Sequence, residues 1–180
     1  HPVQQLALDT VATLTDVPRG KIALATDGCG VVSFGLPLRG LALAFARLAD
    51  PSGVEDAPLR AALERIRDAM MAHPELVGGE RRDLDTALMR AAPGALVSKG
   101  GAEGVQAVAI LSGEARGLAI KVEDGDAAHR ARSVSSVAAP WSPSALTRAP
   151  SSSANASPPR RSEPSPSEPP SWSAPATSSP

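Results

Sequence analysis

Blocks of apolar residues at two different spacings divide the first 132 residues into candidate helices and strands. Apolar positions recur at helical spacing in four segments, residues 2–17, 38–49, 57–73 and 83–92. Shorter apolar runs at residues 22–25, 94–99, 105–111 and 117–122 have the length of strands, and the last two follow a glycine turn as a hairpin would. The pattern predicts a mixed α/β (α+β) fold in which helices pack on an antiparallel sheet. Segments 22–25 and 38–49 are apolar enough to be predicted as buried.

The pattern ends abruptly in the last quarter of the chain. From about residue 133 to residue 180, serine, proline, alanine and arginine dominate, and apolar periodicity disappears. Such a segment buries too little apolar surface to offset its ordering entropy. We therefore predict a folded part over residues 1–132 and a disordered tail over residues 133–180.

Composition excludes several classes of function. The net charge of −1 and an aromatic content of 2% argue against a nucleic-acid partner. Since apolar runs fall short of the roughly 20 residues that cross a bilayer, we expect no membrane span. Cys29 is the single cysteine, so an internal disulfide is excluded and a reducing, cytoplasmic location is predicted.

One lysine occupies a position suited to chemistry. Lys99 ends a predicted strand and directly precedes Gly100 and Gly101, and the chain has only two other lysines, Lys21 and Lys121. A lysine there could be held against a substrate while the glycines let backbone approach it. The alternative interpretation is a surface lysine at a turn.

A second candidate site is the loop Asp27-Gly28-Cys29-Gly30, which follows a predicted strand. Loops after strands often present functional groups, and a cysteine between glycines has an uncrowded sulfur. It could be a metal ligand, a reactive nucleophile or a small residue in a tight loop. A zinc site needs three or four ligands, and the chain has no second cysteine.

The remaining polar clusters have structural explanations. Asp83 is a natural N-cap, and Asp85 suits the positive end of the helix that follows. His73 precedes a proline and is expected to close a helix. The acidic run at 123–126 lacks the continuation of a calcium loop, so Asp126 is interpreted as an N-cap.

Five segments, taken together and in this order, resemble one enzyme family. They are Thr26-Asp27-Gly28-Cys29-Gly30, His73-Pro74-Glu75-Leu76-Val77-Gly78-Gly79, Asp85-Thr86-Ala87-Leu88-Met89, Lys99-Gly100-Gly101-Ala102-Glu103-Gly104 and Lys121-Val122-Glu123-Asp124-Gly125-Asp126. With the opening His1-Pro2-Val3-Gln4-Gln5, they are similar to the bacterial L-asparaginase II family of the Rhizobium type. The resemblance covers residues 1–132 and corresponds to the C-terminal half of that family.

The resemblance implies an amidohydrolase that converts L-asparagine to L-aspartate and ammonia. It also implies an incomplete form of the serine β-lactamase and glutaminase fold, and a homodimer for the intact enzyme. In that fold a Ser-x-x-Lys nucleophile faces a lysine on a strand. Lys99 matches this catalytic lysine.

The other site residues are assigned by the same resemblance. Asp27, Gly28, Gly100 and Gly101 correspond to substrate-binding positions. Cys29 corresponds to a zinc ligand whose companion ligands are missing from this chain.

The chain also departs from the family. The residues three before its lysines are Pro18, Leu96 and Leu118, so Ser-x-x-Lys is absent. We expect the nucleophile upstream of His1 and predict that the chain alone is inactive. The tail, unlike the helix expected there, suggests a frameshifted gene end. The rival interpretations are a non-catalytic scaffold with a flexible interaction tail, and a glutaminase-like or β-lactamase-like hydrolase.

Overall fold

The computed structural model describes residues 1–80 and 83–138, with side chains as far as residue 134. Within these residues the helices are α1 (Pro2–Thr15), α2 (Leu38–Ala49), α3 (Ala57–Ala72), α4 (Pro74–Gly78), α5 (Leu84–Ala91) and α6 (Ala127–Ala138). The strands are β1 (Ala23–Thr26), β2 (Val32–Gly35), β3 (Leu96–Gly100), β4 (Val105–Ile110) and β5 (Arg116–Lys121). Single 3-10 turns occur at Arg19–Lys21 and Pro51–Gly53.

The strands form two separate antiparallel sheets. β1 and β2 pair as a hairpin, and β3, β4 and β5 form a three-stranded meander with β4 in the centre. In the meander Ser98 lies opposite Val108, and Ala109 lies opposite Gly117. The prediction of helices packed on an antiparallel sheet is confirmed.

One face of the meander carries small residues, which let helix α2 approach it closely. Ala107, Ala109, Gly117 and Ala119 share this face, because side chains alternate along a strand and paired residues point the same way. A Cβ atom at Gly117 would lie 1.8 Å from the carbonyl oxygen of Ala42, so backbone packs directly on backbone here. This contact sets the distance between α2 and β5.

The hydrophobic core lies between the meander and the surrounding helices. Its buried members include Leu48 and Ala49 of α2, Leu63 of α3, Met89 of α5 and Val134 of α6. The central strand β4 is buried from Gln106 to Ile110. Burial on both sides explains why its sequence is an apolar run.

Local sequence signals determine where several helices begin. The side chain of Asp56 accepts from the backbone N–H of Leu59 at the start of α3, and Asp83 accepts from that of Asp85 at the start of α5. Asp126 accepts from Ala128 N and His129 N at the start of α6. The N-cap assignments of Asp83 and Asp126 are therefore confirmed.

The local predictions differ from the structure at four elements. Strand β1 was predicted as buried, but Ala23 to Thr26 are all exposed, because within the described part of the chain β1 packs mainly against β2. Strand β2 was not predicted, and neither was the short helix α4 at Pro74–Gly78. Helix α2 is only partly buried, with Leu38 45% exposed.

Helix α6 continues past the boundary predicted between residues 132 and 133. It extends to Ala138, and Val134 is fully buried in the core. The rest of the predicted tail, residues 139–180, lies outside the described residues. No helix in the described part of the chain is long and apolar enough to cross a membrane.

Candidate functional site

Lys99 lies near the end of β3 with its ammonium group toward solvent. Its Nζ donates a hydrogen bond to the carbonyl oxygen of Gly100 at 2.6 Å and lies 3.8 Å from Asp85 Oδ2. The Lys99 side chain is 51% exposed, whereas that of Asp85 is 4% exposed. The lysine is thus a surface group with a buried carboxylate behind it.

The carboxylate of Asp85 is the centre of a buried polar cluster. Its Oδ1 accepts from Ser98 Oγ at 2.7 Å and from Gln106 Nε2 at 2.6 Å. Its Oδ2 accepts from the backbone N–H of Gly100 at 2.7 Å. Gln106 Nε2 also donates to Ser98 Oγ at 2.8 Å, and both side chains are fully buried. Burial of a charged carboxylate is tolerated because donors surround it.

The glycines after Lys99 lie beside helix α6. A Cβ atom at Gly100 would lie 2.5 Å from Arg130 Nη1 and 3.2 Å from Gln106 Oε1. Arg130 Nη1 donates to the carbonyl oxygen of Gly101 at 3.2 Å. Glycine at position 100 therefore leaves the space that the arginine occupies, and Arg130 connects α6 to the end of β3.

The Asp27–Gly30 loop is a tight turn that connects β1 to β2. Asp27 Oδ1 accepts from the backbone N–H of Gly28 at 2.7 Å, and the backbone N–H of Gly30 donates to the carbonyl oxygen of Asp27 at 2.8 Å. Gly30 has a φ of 80°, which favours glycine. Cys29 is exposed, and its Sγ lies 3.9 Å from Asp27 Oδ2.

The structure brings some of the predicted site residues together and leaves others apart. Lys99, Gly100 and Gly101 are consecutive at the end of β3, and Asp27, Gly28 and Cys29 are consecutive in the hairpin loop. Within the described residues, 1–80 and 83–138, no hydrogen bond or ion pair joins the loop to Lys99. The roles assigned to these residues remain predictions.

The described residues do not by themselves make a zinc site. Cys29 and Asp27 offer one thiol and one carboxylate, and no three His, Cys, Asp or Glu side chains cluster in the described part of the chain. Zinc is held by three or four such ligands. Zinc binding through Cys29 therefore stays a prediction that needs ligands from elsewhere.

A charged loop joins β5 to α6. The backbone N–H of Asp126 and then the side chain of His129, 2.7 Å away, hold the pKa of Asp124 below its ordinary value. The backbone N–H groups of His129 and Ala128 lower the pKa of Asp126. Both aspartates are therefore tied to folding of α6.

A concave surface of about 430 Å³ lies away from these residues, between α1, α2 and the start of α3. Arg47 faces it, but its Nη1 donates to the carbonyl oxygens of Thr13 and Leu14. The guanidinium of Arg47 already joins α1 to α2. The Lys99 region is therefore the better candidate for a functional site.

The sequence-based interpretation missed the residues behind Lys99. Asp85 was interpreted as a helix-end charge, but Asp83 caps the helix and Asp85 faces β3. A signal did exist in the strands, because Ser98 and Gln106 interrupt apolar runs on the same face of the meander. Arg130 had no comparable signal.

The structure is a mixed α/β domain in which the end of β3 exposes Lys99 beside a buried polar cluster centred on the carboxylate of Asp85. The family model described as L-asparaginase II matches residues 1–151 of the chain. The chain therefore belongs to the L-asparaginase II family, whose members are asparaginase-like amidohydrolases. A search of curated proteins found no match. The predicted family is confirmed, and the matched region extends beyond residue 132.

Proposed function

We propose that this chain supplies the strand-lysine part of an active site that hydrolyses L-asparagine to L-aspartate and ammonia. The family match supports the substrate. The observation that carries the proposal for this chain is the exposed ammonium of Lys99 at a strand end, beside the backbone of Gly100 and Gly101. A small substrate has access to both the ammonium and the adjacent glycine backbone there.

The proposed reaction has two steps. It needs a nucleophilic serine from a Ser-x-x-Lys motif, which this chain lacks. The serine oxygen forms a bond to the side-chain amide carbon of asparagine, the C–N bond breaks, and ammonia leaves. Water then hydrolyses the aspartyl ester and frees the serine. Lys99 relays the serine proton toward the leaving nitrogen.

The other predicted residues bind the substrate in this proposal. The exposed carboxylate of Asp27 pairs with the α-ammonium group, and the Gly28 backbone lets the substrate approach it. Gly100 and Gly101 line the position of the amide with backbone, and their N–H groups already donate to Asp85 Oδ2 and to the carbonyl oxygen of Val105. Because Ser-x-x-Lys is absent from the sequence, the chain alone is inactive.

Three further properties belong to the same proposal. The intact enzyme is a homodimer, it resides in the cytoplasm, and Cys29 binds zinc together with ligands from outside this chain. Analytical ultracentrifugation of the enzyme extended upstream of His1 tests the first property. A monomer at micromolar concentration would contradict it.

Binding of substrate to the purified chain tests the proposal without requiring turnover. We expect L-asparagine to shift the backbone amide NMR signals of Lys99, Gly100 and Gly101, and also those of Asp27 and Gly28. Lys99→Ala should abolish the response at β3. Lys121→Ala, which changes the equivalent end of β5, is the matched control and should preserve it.

Other ligands separate the rival functions. Stronger shifts with L-glutamine or benzylpenicillin would favour the glutaminase-like or β-lactamase-like hydrolase. No response to any of these ligands would favour the scaffold and contradict the proposal. Ammonia release from L-asparagine by the 180-residue chain, above that of Lys99→Ala, would refute the predicted inactivity.

A further inference from the structure

Asp85 occupies a position that its own helix does not explain. It lies in the first turn of α5, where acidic residues commonly stabilise the helix end. That role is taken by Asp83, whose Oδ1 accepts the backbone N–H of Asp85 at 2.8 Å. The Asp85 side chain, 4% exposed, instead leaves the helix and reaches β3. A charge is costly to bury, so the contacts at this end of β3 require an explanation.

The two oxygens of the carboxylate have different partners. Among the residues that the structure describes, Oδ1 accepts from the neutral side chains of Ser98 and Gln106 alone, which fix its place in the core. Oδ2 accepts from Gly100 N and lies near the Lys99 ammonium. One oxygen thus anchors the group, and the other contacts the segment that carries the lysine.

The contact to Gly100 uses the free edge of the sheet. β3 is an edge strand, and the backbone N–H of Gly101 donates inward to the carbonyl oxygen of Val105 on β4. The preceding N–H, that of Gly100, therefore points outward, where no strand of residues 1–80 or 83–138 pairs with it. Asp85 accepts this N–H and so fixes the backbone on which the Lys99 ammonium rests.

Lys121 shows what the same arrangement looks like without the carboxylate. Lys121 is the last residue of β5, and Lys99 is the last but one of β3. The Nζ of Lys121 donates to the carbonyl oxygen of the next residue, Val122, at 2.5 Å. Among the described residues Lys121 forms no ion pair, whereas Lys99 pairs with Asp85. Lys121 interacts electrostatically with the exposed Asp124, so the two lysines differ in whether the neighbouring carboxylate is buried and hydrogen-bonded in place.

We propose that Asp85 is the positioning residue that holds the Lys99 ammonium at the end of β3, while Ser98 and Gln106 hold Asp85. A lysine side chain loses rotamer entropy when it is fixed. A carboxylate that is already immobile lowers that loss at the moment of reaction. The catalytic relevance of this inference rests on the proposed function of Lys99, but the positioning itself does not depend on asparagine.

The mobility of the two lysine side chains tests the inference directly. We expect the NMR order parameter of the Lys99 Cε methylene to exceed that of Lys121 by about 0.2 in the parent chain. Asp85→Asn, which keeps the shape and removes the charge, should lower the Lys99 value to that of Lys121 and leave Lys121 unchanged. A purely structural role of Asp85 would change stability without this loss of order.

Two results would overturn the inference: equal order for Lys99 and Lys121 in the parent chain, or unchanged Lys99 order in Asp85→Asn. If that variant does not fold, Ser98→Ala replaces it, because it removes one bond to Asp85 Oδ1 and no contact of Lys99. A partial loss of Lys99 order then supports the inference, and unchanged order contradicts it. An ordered Lys99 in a chain that ignores L-asparagine would contradict the proposed function alone.

Discussion

The end of β3 and the β1–β2 loop carry the predicted site residues, and they are built in opposite ways. At β3 the exposed Lys99 stands on a buried cluster in which Asp85 receives three hydrogen bonds. In the loop, Asp27 and Cys29 are exposed, and their hydrogen bonds stay within the turn. At the end of β3, contacts from other elements fix the geometry of the side chains. In the loop, the described hydrogen bonds come from the local backbone.

This contrast teaches that the two regions depend differently on the rest of the chain. The β3 end is determined by long-range packing, so changes in α5, β4 or α6 reach Lys99. The loop depends on its own four residues and the hairpin that carries them. Variants that compare matched positions in the two regions can break this distinction or sharpen it.

Removal of the Asp85 carboxylate should have the largest effect. Asp85→Ala leaves the buried donors of Ser98 and Gly100 without an acceptor and removes one of the two acceptors of Gln106. This should lower the free energy of unfolding by about 3 kcal/mol. Asp27→Ala removes one exposed bond and should cost about 0.5 kcal/mol. Urea unfolding followed by circular dichroism measures both. Equal losses would contradict the contrast between the regions.

Addition of one methyl group should next separate the packed meander, to which β3 belongs, from the exposed β1–β2 loop. Gly117→Ala places a Cβ against the backbone carbonyl of Ala42, and we expect a loss of about 2 kcal/mol as α2 moves away from β5. Gly28→Ala is the control, because nothing lies within 4 Å of its added Cβ. Thermal unfolding of both variants decides the matter, and a stable Gly117→Ala protein would show that α2 is not seated on β5.

Acid should weaken the stabilising contacts that Asp124 and Asp126 make at the start of α6, and this effect should be smaller than those of the substitutions above. The pKa values of Asp124 and Asp126 lie below their ordinary value of 3.8, so the folded state favours their charged forms. Their contribution is therefore complete at neutral pH and is lost as the pH falls below about 3.8. Asp126→Asn, which keeps an N-cap side chain, should flatten the fall of the urea midpoint between pH 5 and pH 3. An unchanged pH profile would contradict this assignment.

The smallest effect is expected at Cys29. Because its thiol is free and exposed, it should react with a disulfide reagent in the native chain at nearly the rate seen in 6 M urea. Asp27→Ala should change that rate little. Strong protection of Cys29 in the native chain would show that the loop is covered, contrary to the open turn described above.

The sequence predicted those features that depend on local patterns. Helices α2, α3 and α5 were predicted within one or two residues, and so were the strands of the meander, since their periodicity and flanking turns are local signals. Asp83 and Asp126 were identified as caps for the same reason. Their partners lie within three residues in the chain.

Features that depend on distant partners were not predictable in the same way. The apolar residues of β1 suggested burial, but whether a strand is covered depends on which element packs against it. The local explanation of Asp85 is incomplete, because the partners of its side chain are 13, 15 and 21 residues away. Ser98 and Gln106 give a weak signal only after the register of β3 and β4 is known.

The contacts of helix α6 determine where a stop codon or a frameshift in the gene would affect the end of β3. Arg130 contacts the carbonyl oxygen of Gly101, and Val134 fills the core, although both lie at the transition to Ser/Pro-rich sequence. A stop codon or a shift of reading frame before codon 130 would remove the guanidinium that fills the space beside Gly100. A truncated or frameshifted gene therefore keeps these supports of the lysine strand only if it leaves residues 127–134 of α6 unchanged.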